Sequence, residues 1–169
     1  MNPDSIADQE EQGHFWSFDS HKDVLEIYRL EVPGNRNSLS IIRDSVEDAA
    51  TATPLNEIGI AAFQMAVDEI CANVVEHGYE KHQVRDESTL AIEIARFDDR
   101  IETIITDRSA VRFTVKNAPQ PLSFLQEQRK RGLGLDIVRY FVDKVEYQWL
   151  LPHGNQTHLV KYYGDEQQA

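Results

Sequence analysis

The order of hydrophobic and polar positions predicts a strand followed by a helix in the first third of the chain. Residues 24–32, VLEIYRLEV, have the composition of a β-strand. Leu39, Ile42, Val46 and Ala49 then recur at helical spacing, with Asn37 or Ser38 as the expected N-cap.

A second helix is predicted directly after the first. Thr53 is the expected N-cap, because Pro54 suits the first position of a helix. An apolar stripe then runs to about His77, and Gly78 is expected to end the helix.

Two hairpins and a third helix complete the pattern. Residues 89–97 alternate, the turn DDR follows, and residues 101–106 return as a strand. Residues 133–145, LGLDIVRYFVDKV, carry a helical stripe that ends at Val145. The turn PHGN separates the last two predicted strands.

This order predicts an α+β fold, a two-layer α/β sandwich with a mostly antiparallel sheet and helices on one face. We expect an acidic N-terminal extension at 1–21, which Phe15, Trp16 and Phe18 can pin to the body. The folded domain is expected at 22–163, followed by a polar tail at 164–169.

Composition narrows the functional classes. Hydrophobic residues make up 41% of the chain and charged residues 27%, which is ordinary for a globular protein. The net charge of −12 argues against nucleic acid as a direct partner. We find neither a secretion signal nor an apolar run of membrane-spanning length, and Cys71 is the only cysteine, so a cytoplasmic protein without a disulfide is expected.

The second helix carries polar residues at the border of its apolar face. Glu69, Asn73 and His77 are spaced by four and form one ridge beside the stripe that contains Ile70 and Val74. An amide oxygen there can ligate Mg²⁺, and a carboxylate can orient or deprotonate a hydroxyl group. The alternative is a hydrogen-bond network at the helix edge with no ligand.

A glycine loop precedes the third helix in the stretch RKRGLGLDIVRYF. Gly132 and Gly134 let the backbone approach a ligand, and a helix N-terminus attracts anions. Residues 108–131 hold six cations against one acid, which favours either a phosphate group or an ordinary solvated loop. Asp107 ends a strand and can accept a hydrogen bond from an adenine amino group, or simply begin a turn.

Three stretches, taken in order, resemble the ATP-binding domain shared by gyrase, Hsp90, histidine kinases and MutL. They are DEICANVVEHGY, the strand end at Asp107, and RGLGLDIVRYFVDKVEY. Within that family of domains, they look most like the small bacterial anti-sigma-factor serine/threonine kinases. The resemblance covers roughly residues 22–163. One departure is DRSAVRF, in which Ser109 replaces the glycine of the family's D-x-G box.

The resemblance implies a role for each matching residue. Glu69 would be the general base, Asn73 would ligate Mg²⁺ between the ATP phosphates, and Asp107 would bind the adenine amino group. His77 would lie near the pocket without binding metal. The remaining expected nucleotide contacts are Arg131, Gly132, Leu133 and Gly134 of the loop, and Thr157 on the closing strand.

The implied activity is transfer of the γ-phosphoryl group of ATP to a small STAS-type anti-sigma antagonist. The same protein would hold a sigma factor inactive, so that the choice of partner is the switch, and a homodimer is expected. The alternative is a catalytically degenerate binding module that sequesters a partner protein without phosphoryl transfer. An ATPase domain of a larger machine is a third interpretation.

Overall fold

The computed structural model describes residues 14–81, 88–110, 138–150, 152 and 154–164. Within these ranges, five strands form one antiparallel sheet in the order β1-β2-β3-β5-β4. The strands are β1 (Glu26–Pro33), β2 (Thr89–Arg96), β3 (Arg100–Asp107), β4 (Lys144–Trp149) and β5 (Asn155–Tyr162). This confirms the predicted α+β fold and both predicted hairpins.

In the part of the chain that the structure describes, two long helices cover one face of the sheet. They are α1 (Ser38–Thr51) and α2 (Glu57–Asn73), and a π-helical segment, Val74–Glu80, continues α2 without a break. The helical stripes and the sheet share one apolar core, to which the strands contribute Leu90, Ile92, Ile94, Ile101, Ile105 and Leu159. Cys71 is a buried free thiol within that core.

The start of α2 differs from the prediction. Its N-cap is Asn56, whose side chain accepts a hydrogen bond from Gly59 N–H at 2.9 Å. Thr53 instead donates its hydroxyl to the Ala50 carbonyl at the end of α1. The chain remains non-helical between these residues, which carries Leu55 into the core.

The end of the second helix also differs, because Gly78 does not stop it. The helix widens at Val74 into π geometry, where the Lys81 N–H donates to the Glu76 carbonyl at 3.2 Å. Such i→i+5 segments are rare and occur frequently at functional sites. The predicted third helix also ends earlier than expected, since Lys144 and Val145 lie in β4. The part of that helix that the structure describes covers residues 138–141.

The opposite face of the sheet is covered by residues 14–21, which we call the N-terminal segment. Phe18 is 1% exposed and packs with Ala95, Phe97 and Ile104. Trp16 is half-buried beside them, whereas Phe15 is 55% exposed. The central strand β3 is therefore buried on both faces.

A helical stretch in this fold has the length and apolar composition of a membrane span. It is Glu57–Glu80, and half of its most apolar window is buried inside the protein. The core helix of a soluble protein satisfies the same criteria, and this stretch packs on the sheet.

Candidate functional site

The candidate site lies where α2 and its π-helical extension cross the end of β3. Asp107 is the last residue of β3 and is 3% exposed. Burial, followed by the charges of Asp68 and Asp107, raises the pKa of the Cys71 thiol on α2. The end of β3 thus carries a buried carboxylate beside the core that α2 and the sheet share.

Hydrogen bonds from Ser109 and Asn155 fix the orientation of Asp107. Its Oδ1 accepts from Ser109 N–H at 2.7 Å and from Asn155 Nδ2 at 3.1 Å. Burial raises the pKa of the carboxyl group to about 6, although hydrogen bonds from the Asn155 side chain and from the backbones of Ser109 and Asn155 oppose the increase. Asn155 is opposite Asp107 in the strand pairing, and its part in the site was not predicted.

The turn after Asp107 is held by Tyr79. The Arg108 N–H donates to the Tyr79 hydroxyl at 2.8 Å, and that hydroxyl donates to the Thr89 carbonyl at 2.7 Å. Burial raises the pKa of Tyr79 to about 12, so the phenol keeps the proton that it donates. Sequence reasoning missed this role, although the HGY stretch that contains Tyr79 was singled out.

A glycine in the β4–β5 turn lies close to the backbone at the same strand end. Gly154 has φ +125°, and a Cβ built on it would lie 2.5 Å from the Asp107 carbonyl oxygen. Only glycine combines this backbone conformation with so close an approach. The PHGN turn therefore helps to define the site.

Thr157 lies on the same side of the sheet as Asp107. It is 4% exposed and pairs with Ile105, two residues before Asp107. Because alternate residues of a strand point to the same face, Thr157, Ile105 and Asp107 all face the helices. The structure thus places two of the expected nucleotide contacts on one face of neighbouring strands.

Glu69 and Asn73 are both half-buried on α2, beside the buried residues Ile70 and Val74. Burial, followed by the charges of Asp68 and Glu76, raises the pKa of the Glu69 carboxyl group. A carboxylate with a raised pKa is a better proton acceptor at neutral pH. The position and electrostatics of Glu69 therefore fit a general base.

His77 lies one turn beyond Asn73, in the π-helical segment, and it is exposed. Arg131, Gly132, Leu133 and Gly134 of the predicted loop lie outside the described residues.

Comparison with known proteins decides the family. Residues 32–161 match the histidine kinase-like ATPase domain. The chain belongs to that family. The matched range includes every candidate site residue, from Glu69 to Thr157.

Several relatives in the family are serine-protein kinases named RsbW. That of Halalkalibacterium halodurans is 27% identical over 126 residues, which cover 72% of this chain and 75% of the relative. That of Bacillus cereus strain AH187 is 26% identical over 152 residues, which cover 85% of this chain and 89% of the relative.

A solved structure supports the fold. The crystal structure of the RsbU and RsbW domains of a Mycobacterium tuberculosis protein matches 80% of this chain and 31% of that one, with a TM-score of 0.58 and 15% identity. This histidine kinase-like ATPase chain therefore shares its fold with an RsbW domain.

Proposed function

We propose that this chain is an anti-sigma-type serine/threonine protein kinase. It binds Mg-ATP and transfers the γ-phosphoryl group to a hydroxyl group on a small STAS-type antagonist protein. The observation that carries the proposal is the buried carboxylate of Asp107, which is held by Ser109 and Asn155 beneath the helix that bears Glu69 and Asn73. Membership of an ATPase family and similarity to serine-protein kinases support it.

Asp107 is assigned to the adenine. A carboxylate oxygen accepts hydrogen bonds, and the exocyclic amino group of adenine donates them. Ser109 N–H and Asn155 Nδ2 donate to Oδ1 of this carboxylate, and the adenine amino group is assigned as a further donor to it. Thr157, on the same face of the sheet, is assigned a contact next to the base.

Asn73 is assigned to magnesium. A half-buried amide oxygen at a helix edge is a hard donor of the kind that Mg²⁺ accepts. Among the described residues, no group of three or more His, Cys, Asp and Glu could hold a metal by itself. This fits a magnesium ion that is held chiefly by phosphate oxygens and neutralises their charge.

Glu69 is assigned as the general base. The oxygen of the acceptor hydroxyl bonds to the γ-phosphorus while the bond from that phosphorus to the ADP oxygen breaks, and Glu69 takes the hydroxyl proton. We assign Arg131, Gly132, Leu133 and Gly134 to the phosphates and His77 to the rim of the pocket. Together with Asp107, Thr157 and Asn73, these residues make up the proposed site for Mg-ATP and phosphoryl transfer.

In the cell, we propose that the protein acts as a cytoplasmic homodimer and regulates a sigma factor by partner switching. Phosphorylation of the antagonist would release the kinase to bind the sigma factor. Neither partner needs a basic surface on this acidic protein, because both are proteins.

The deciding experiment is calorimetric titration with ATP, with and without Mg²⁺, of the wild type and Asn73→Ala. Magnesium-dependent binding that the substitution weakens at least about tenfold, or about 1.4 kcal/mol, supports the site. Transfer is then tested with γ-labelled ATP and purified STAS-domain proteins from the same organism.

The alternative is a binding module that retains the fold without turnover. Ser109 is the observation that favours it, since this side chain occupies the place of a glycine in the nucleotide-binding turn. Absence of ATP binding at millimolar concentration would support this alternative and reject the kinase.

A further inference from the structure

The turn after β3 packs tightly against the π-helical segment. Ser109 is fully buried, and its hydroxyl donates to the Gly78 carbonyl at 3.4 Å. A Cβ built on Gly78 would lie 3.0 Å from Ser109 Oγ and 3.1 Å from Ser109 Cβ. Both distances are shorter than an ordinary carbon contact, which is about 3.5–4.0 Å. The serine side chain therefore fills the space that a side chain at position 78 would need.

The same contact is linked to the candidate adenine carboxylate. The Ser109 N–H donates to Asp107 Oδ1 at 2.7 Å, and Arg108, between them, donates its N–H to the Tyr79 hydroxyl at 2.8 Å. The neighbouring helix residues 78 and 79 thus hold the turn at two successive positions. A displacement of Ser109 would move the hydrogen bond that orients Asp107.

We propose that Gly78 and Ser109 are a size-matched pair that positions Asp107 to recognise adenine. This inference rests on the proposed nucleotide site and assigns its base selectivity to two residues that need not touch the nucleotide. The serine is accommodated because the facing helix residue has no side chain. Ser109 is therefore a built-in part of the site and does not block it.

Each single substitution has a defined physical effect. Gly78→Ala adds a methyl group that pushes Ser109 by a few tenths of an ångström, because packed interiors have no free volume to absorb it. Ser109→Gly removes the side chain that fills the contact and frees the backbone of the turn. The double variant, Gly78→Ala with Ser109→Gly, places a small side chain on the helix instead of on the turn. That side chain occupies the space between the two backbones again.

The test is a double-mutant cycle read by calorimetric affinity for Mg-ATP and Mg-GTP. Guanine carries a carbonyl where adenine carries its amino group, so the ratio of the two affinities reports the orientation of Asp107. We expect each single variant to weaken ATP binding about tenfold and to lower the ATP-to-GTP ratio, and the double variant to recover to within about threefold of wild type. A merely structural role would change stability and leave the ratio of affinities unchanged.

Three outcomes overturn the inference. They are additive losses in the double variant, an unchanged affinity ratio in both single variants, and single variants that bind as wild type does. Failure of the wild type to bind ATP is a different result, because it rejects the proposed nucleotide site itself.

The thermal midpoint of unfolding provides a nucleotide-free control. Each single variant should unfold roughly 2–6 °C below wild type, and the double variant should regain most of that loss. Additive losses in this cycle would show that the two residues are not packed as a pair.

Discussion

At the residue scale, burial of the charged carboxylate of Asp107 lowers the free energy of unfolding. Its pKa is raised to about 6, from 3.8, mainly because burial disfavours the charged form. The folded state therefore binds the proton more tightly than the unfolded state does. It follows that stability from this group is fully present below about pH 4 and is lost as the pH rises through about 6.

We expect Asp107→Asn to remove that pH dependence. Relative to wild type, the variant should gain up to about 3 kcal/mol in free energy of unfolding between about pH 4 and pH 7, since a neutral amide has no charge to bury. Urea denaturation of both proteins across this range measures the difference. Parallel curves for the two proteins would mean that Asp107 is not a buried titrating group.

Gly154 offers a second prediction at this scale. Gly154→Ala should lower the free energy of unfolding by at least about 2 kcal/mol, because alanine disfavours φ +125° and its Cβ would lie 2.5 Å from the Asp107 carbonyl oxygen. Gly164→Ala is the matched control, since a Cβ at that position meets nothing within 4 Å. Equal stability of the two variants in urea would contradict the close approach.

At the element scale, the N-terminal segment is part of the folded body. The side chain of Gln156 accepts from Trp16 N–H at 2.8 Å and donates to the Trp16 carbonyl at 3.0 Å. Gln156 lies between Asn155 and Thr157 on β5, so the segment is attached to the other side of the strand that helps to form the site.

A charged network lies under the same segment. His158 Nε2 contacts Glu102 Oε2 at 2.6 Å and packs against the Trp16 and Phe18 rings. Burial would raise the pKa of Glu102, but hydrogen bonds to His158 and Arg100 hold it below its usual range. Polar groups buried by the segment are thus paired, as burial requires.

Phe18→Ala should therefore strongly lower the free energy of unfolding. Removal of a fully buried phenylalanine side chain leaves a cavity and costs about 3–5 kcal/mol. The control is Phe15→Ala, which should change stability by no more than about 0.5 kcal/mol because that ring is 55% exposed. Chemical denaturation compares the two variants. If they lost the same stability, the segment would not be docked through Phe18.

At the scale of the whole molecule, ligand binding and folding are linked. Mg-ATP at about 100 times its dissociation constant should stabilise the protein by about 2.7 kcal/mol and raise the melting temperature by roughly 5–10 °C. Differential scanning calorimetry measures the shift. The expectation fails if Mg-ATP leaves the melting temperature unchanged.

Two variants separate binding from chemistry. Asn73→Ala should lose most of the Mg-ATP-dependent shift, whereas Glu69→Gln should keep it and lose phosphoryl transfer. A Glu69→Gln protein with full transfer activity would remove Glu69 from its assigned role as the base.

The sequence predicted most of the architecture, because hydrophobic periodicity reports which face of each element is buried. The strands of both hairpins, the buried stripe of α2 and the position of Asp107 at a strand end follow from local pattern. The start of α2 does not follow from local pattern, since Asn56 and Thr53 are both good capping residues. The choice between them depended on carrying Leu55 into the core.

By itself, the sequence determined the fold class, the family and the types of side chain at the candidate site. Only the tertiary structure decided their geometry. It buried Asp107, continued α2 as a π-helical segment from Val74, and placed Ser109 against Gly78. The physical reason is that periodicity reflects contacts within one element, whereas Gly78 and Ser109 are 31 residues apart and belong to different parts of the fold.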